Sequence, residues 1–100
     1  MAKPINIVPL YVVVCGQHEP YVVERDVLDC TWGATVEDIA SGQFETLTVV
    51  LELATGRNVT DIMLREALDL RSHRGAEYSH AMFELAELHL GTRTARAMVR

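Results

Sequence analysis

Residues 46–53, Thr46-Leu47-Thr48-Val49-Val50-Leu51-Glu52-Leu53, decide the fold class. Leu47, Val49, Leu51 and Leu53 recur at a period of two, which predicts a strand with those four on one face and Thr46, Thr48, Val50 and Glu52 on the other. One half-buried strand needs partners, and the flanking sequence offers them. Residues 5–14, Ile5-Asn6-Ile7-Val8-Pro9-Leu10-Tyr11-Val12-Val13-Val14, are β-branched and aromatic, the types that suit a pleated surface. Pro9 lacks a ladder donor, so it marks an edge, a bulge, or a strand that begins only at Leu10. Gly16 and Pro20 supply a turn, and Tyr21 to Leu28 resumes the apolar run as the second arm of a hairpin.

The rest of the chain reads as helix. Thr35 as N-cap, acids in the first turn and Gly42 at the end predict a short helix over 35–42. After a turn at Thr55-Gly56-Arg57, Asn58 or Thr60 caps a second helix with Val59, Ile62, Met63, Ala67 and Leu70 on one stripe. Arg71 and Arg74 suit its C-terminal dipole, and Gly75 stops it. A third helix is expected from Ala76 to Leu90, with Tyr78, Ala81, Met82, Leu85 and Leu88 inward and Glu77, His80, Glu84 and Glu87 outward. This order predicts an α+β domain: a small, mostly antiparallel sheet of about three strands with a short helix and two longer C-terminal helices packed on one face. One domain spans 1–100, with 92–100 a basic tail that frays or adds a last turn.

Composition sets the broad class. With 100 residues, 49% hydrophobic and 23% charged, the chain is too apolar to be disordered and long enough for one modest core. No apolar run reaches the roughly 20 residues that span a bilayer, so no membrane role is expected. The N-terminal segment lacks a signal-peptide cleavage pattern, which predicts a cytoplasmic protein. Cys15 and Cys30 have no zinc-ribbon or redox spacing and are expected to be free thiols. The six glycines are dispersed singly, so no phosphate loop and no cofactor are expected.

Cys15 or Cys30 with His18, or Ser79 beside His80, lack any spacing that activates a nucleophile, so no catalytic residue is named and the chain is expected not to be an enzyme. His73, His80 and Glu84, seven and four residues apart, lie at helical spacings and form an alternative metal-binding reading. Their face is opposite the apolar stripe and no second ligand pair completes the set.

Charge departs furthest from background. Between Glu19 and Glu52 there are eight carboxylates and one arginine, Arg25, a local charge of −7 within a chain of net −5. After Glu87 there are only arginines, Arg93, Arg96 and Arg100. Such an acidic body repels phosphates, so direct nucleic-acid binding is not expected, and it attracts a basic host protein or nucleoprotein complex. The same carboxylates also serve solubility alone. Trp32, between Thr31 and Gly33, is a large ring expected in a loop, where it either pins the core or anchors an interface.

The stretch Thr35-Val36-Glu37-Asp38-Ile39-Ala40-Ser41-Gly42-Gln43-Phe44-Glu45 with the strand Thr48 to Glu52 resembles a pattern in small proteins encoded by phages and prophages of proteobacteria. In size and charge the chain also resembles anti-CRISPR proteins and other inhibitors of host defence. That resemblance implies a non-enzymatic module that docks on a host protein. Glu24, Asp26, Asp29, Trp32, Glu37, Asp38 and Glu45 are then the candidate partner-binding residues. A structural homodimer, pairing through residues 5–14 or the apolar helices, is the remaining alternative.

Overall fold

A computed structural model describes residues 9–44, 46–75 and 80–98. Three antiparallel strands, β1 (Tyr11–Cys15), β2 (Tyr21–Val22) and β3 (Leu47–Glu52), pair in the order β2-β1-β3. A 3-10 turn (Val27–Cys30) leads into helix α1 (Trp32–Ala40), and β3 is followed by α2 (Thr60–His73), α3 (His80–Leu90) and α4 (Thr92–Met98). The expected α+β architecture with an antiparallel sheet is what the chain adopts.

The faces of β3 differ from strict alternation. Val13 pairs with Val50 and Val14 with Val49, but Cys15 pairs with Leu47, so Thr48 is an extra, unpaired residue. This β-bulge shifts the phase of the strand by one residue. Leu47 and Val50, three apart, both reach zero exposure beside Val13 and Cys15, while Val49 and Leu51 fall on the other face with Val12 and Val14. Leu53 is exposed. The hydroxyl of Thr48 donates to the Gly16 carbonyl at 3.0 Å, and Gly16 N–H donates to Thr46 at 2.9 Å, which ties the bulge to the hairpin turn. Among the described residues the first strand starts at Tyr11, after Pro9 and Leu10, and the expected residues 5–8 lie outside the described residues; β2 has two residues before the chain turns toward the 3-10 segment.

Helix α1 begins three residues earlier than Thr35. Thr31 caps it by accepting from Ala34 N–H at 3.3 Å, which puts Trp32 on the helix and not in a loop. Thr35 is fully buried in its second turn. In α2 the buried stripe is Thr60, Met63, Leu64, Ala67 and Leu68, and Ile62 is exposed. The N-cap is Val59, which brings no side-chain cap bond, and not the expected Asn58 or Thr60; Asn58 Oδ1, one residue earlier, accepts from Thr60 N–H at 3.0 Å. In α3, Met82, Leu85 and Ala86 are buried and Leu88 is not; the expected start of this helix at 76–79, with Glu77 and Tyr78, lies outside the described residues. The segment expected to fray or add a last turn is helix α4 through Met98, whose Ala95 is fully buried and whose Met98 packs on the core. Gly91, at φ +85°, makes the break between α3 and α4.

Arg71 and Arg74 do not stay at their own helix end. Arg71 donates to the Ala40 carbonyl at 2.5 Å, and Arg74 grips the Glu37 carboxylate at 2.6 and 2.8 Å, so α2 caps and clamps α1. On the far side of β3, His89 Nε2 lies 2.8 Å from the Leu47 carbonyl and docks α3 at the bulge.

Gly16 is the glycine the fold cannot exchange: its φ is +89°, and a Cβ there would sit 2.5 Å from the Glu19 carbonyl oxygen. Gly16→Ala is expected to destabilise the protein by about 2 kcal/mol or more, measured by urea denaturation.

Candidate functional site

Arg25 stands between the sheet and α1, with its side chain only 7% exposed. One guanidinium nitrogen donates to the Asp29 carbonyl at 2.8 Å and to Thr35 Oγ1 at 3.1 Å; the other donates to the Tyr11 carbonyl at 2.9 Å. The guanidinium lies over the Phe44 ring, 5.6 Å from its centroid, and 3.8 Å from the Asp38 carboxylate. A planar fork of five donors suits this geometry, which joins β1, the 3-10 turn and α1 through one side chain. The Nε–H is buried and has no acceptor among the described residues. An orphaned buried donor is rare enough in native proteins to mark a strained or functional position.

Over this arginine opens a cleft of about 910 Å³, walled by Tyr11, Val12, Val22, Val23, Cys30, Gln43 and Phe44. Glu24, Asp26, Asp29 and Asp38 line it too, four carboxylates against one guanidinium. Glu24, Asp26 and Asp29 are exposed, whereas Asp38 is partly buried. The Asp38 carboxyl is held above its ordinary range, chiefly by burial; Arg25 opposes the shift, and Asp29 and Glu37 add to it. Ionising Asp38 therefore works against the fold.

The other candidates part from this cleft. Glu37 faces away from it into the Arg74 clamp, where that hydrogen bond holds its carboxyl below the usual range. Trp32 packs edge-on against Tyr11, with ring centroids 5.2 Å apart, and its indole N–H bonds the Glu66 carboxylate. It fixes α1 on β1 and α2, the pinning use of such a ring. Glu45 lies outside the described residues.

Arg25 is the central residue that sequence reasoning left without a role. Its signal was the one cation inside a −7 stretch, flanked closely by Val23 and Val27.

None of the four histidines lines the cleft. The Cys30 thiol points to the Asp26 carbonyl at 3.4 Å, and Cys15 is buried, with its thiol pushed up by desolvation. On the opposite part of the molecule, His80 and Glu84 form a 2.9 Å pair, both exposed, and His73 Nδ1 contacts the Asp69 carbonyl of its own helix. Among the described residues no three His, Cys, Asp or Glu come together to hold an ion, so His73, His80 and Glu84 form no site. No helix among the described residues is long and apolar enough to cross a membrane. No protein-family model, curated protein or solved structure matches this chain.

Two outcomes follow from this geometry. Arg25→Met strands two carbonyls and Asp38, and is expected to cost about 2–4 kcal/mol in urea denaturation. Because folding raises the Asp38 pKa, the folded state holds that proton more tightly than the unfolded chain, and stability is lost as pH rises through the folded value. Asp38→Asn is thus expected to raise the melting temperature at pH 7 relative to the parent. The gap should close below about pH 3, where the unfolded carboxyl is also protonated.

Proposed function

We propose that the chain is a non-enzymatic binding module that docks this acidic cleft onto a basic protein. The observation that carries the reading is the gathering of Glu24, Asp26, Asp29 and Asp38 around one open, apolar-walled cleft in which the one cation among the described lining residues, Arg25, is buried beneath them. The first three are exposed, and the fourth is partly buried, 3.8 Å from the Arg25 guanidinium. Carboxylates that desolvate on contact with a cationic surface give association its rate, orientation and selectivity.

The resemblance of residues 35–52 to phage and prophage proteins supplies the setting of the proposal: a mobile-element protein acting on a host. A basic host surface that binds nucleic acid is the natural counterpart, and covering it would block the host function, as the inhibitors it resembles in size and charge do. Direct nucleic-acid binding has no place here, because phosphates meet like charge at the cleft.

The test is affinity capture from a proteobacterial lysate at low and high salt, with the retained proteins identified by mass spectrometry and the binding then measured with the purified partner. Affinity is expected to fall by about tenfold or more as the screening length drops from about 10 Å at 0.1 M toward about 3 Å at 1 M salt. The combined substitutions Glu24→Lys, Asp26→Lys and Asp29→Lys are expected to abolish binding while leaving the melting temperature near that of the parent, since all three side chains are exposed. Salt-insensitive capture would overturn the reading.

A further inference from the structure

The two outer edges of the sheet are not alike. Outside β3, the chain returns over 57–59: Glu52 N–H donates to the Arg57 carbonyl and Val59 N–H to the Val50 carbonyl, both at 2.9 Å, and Leu51 bridges Asn58. Outside β2, no segment pairs among the described residues. Val23 N–H donates inward to Val13, so by the alternation of an antiparallel ladder the peptide groups of Val22 point outward. Of the seven large apolar side chains exposed among the described residues, four, Tyr21, Val22, Val27 and Leu28, belong to this one stretch.

Beneath that edge runs a groove. The acidic cleft and a second hollow of about 500 Å³ share Val23, Gln43 and Phe44 as walls, and the second hollow continues past Tyr21 and Cys15. An edge that no described residue pairs, above a groove, is the geometry of strand addition, in which main-chain bonds give affinity and alternate side chains enter the groove. We propose that β2 receives an extended basic segment of the partner as a fourth, antiparallel strand, with its cationic side chains in the groove against Glu24, Asp26 and Asp29. This rests on the acidic-docking reading and adds its mode. A second copy of this chain is the wrong occupant, because β2 paired with itself would bring two sets of the carboxylates from Glu19 to Asp29 together. A helix is also wrong, since its backbone groups are already used.

The register follows. Residues directly opposite in an antiparallel pair share a face. Val22 shares a face of the sheet with Val14, its partner, so the incoming residue that bonds Val22 takes that face, and its neighbours take the face of Cys15, Tyr21 and Val23, which line the second hollow of the groove. In a capped hexapeptide of alternating Lys and Val, lysines in the groove leave the valine amides to bond β2.

The test is fluorescence anisotropy with that labelled hexapeptide at low salt. Two N-methylated versions, one methylated at every Val and one at every Lys, are compared with it, as is the protein variant Val22→Pro. Methylation at Val is expected to weaken binding about tenfold or more, because bonding amides are lost, and methylation at Lys to leave it within about twofold. Val22→Pro removes an outward N–H without breaking the β1 ladder, and is expected to weaken binding equally. Equal effects of the two methylation patterns overturn strand addition, and the peptide comparison decides this even if the proline variant fails to fold. Absence of binding by the parent peptide, or unchanged binding by the Glu24→Lys, Asp26→Lys, Asp29→Lys protein, overturns the acidic-docking reading itself.

Discussion

The buried guanidinium of Arg25 is the constraint around which the N-terminal half is arranged. It replaces water for two main-chain carbonyls and one hydroxyl drawn from three different elements. A lysine has no fork with which to do the same. The 3-10 turn, the early start of α1 and the complete burial of Thr35 all satisfy this one cation. Phe44 closes it from below, so that charge, aromatic face and backbone meet in one place.

A second set of contacts holds α1 from the other side. Arg71 and Arg74 reach from α2 to the end of α1, and Trp32 fixes its beginning on Tyr11 and Glu66. With both ends of the helix fastened, Asp38 is held in place on α1, and Arg25 ties the segment that carries Glu24, Asp26 and Asp29 to it. The division of labour among carboxylates is then physical: Glu37 and Glu66 bind cations or donors of the fold, while Glu24, Asp26 and Asp29 have open solvent before them. Rigid presentation lowers the entropy lost when such groups are engaged.

Much of this was legible in the chain. Period-two and helical spacing located the strands and helices in order, because burial of one face is what those periods encode. The misses came from effects that periodicity does not carry. The bulge at Thr48 depends on pairing with Cys15, a residue far away in sequence, and it exchanged the roles of Val49 and Val50. The stripe of α2 rotated to Leu64 and Leu68, leaving Ile62 outside, because the position of α1 determines which side is covered. Thr31 and Thr35 are both capable caps, and what selects between them is the demand of Arg25 for a buried hydroxyl. The cleft acids were visible as a charge run, but their grouping, and the separation of Glu37 and Trp32 from them, required the fold.

The bulge has an evolutionary consequence. Thr48 is the one residue of β3 without a partner opposite it, so its removal would leave Val49 and Leu47 as neighbours already facing opposite ways, with Val50 still inward. The lost hydroxyl bond to Gly16 is the main structural loss. Deletion elsewhere in the strand would instead turn apolar side chains out of the core. Chains that share this core can therefore differ in length by one residue at that point, and a descent line could gain or lose Thr48 while every buried contact around Val13 and Val50 stays in place.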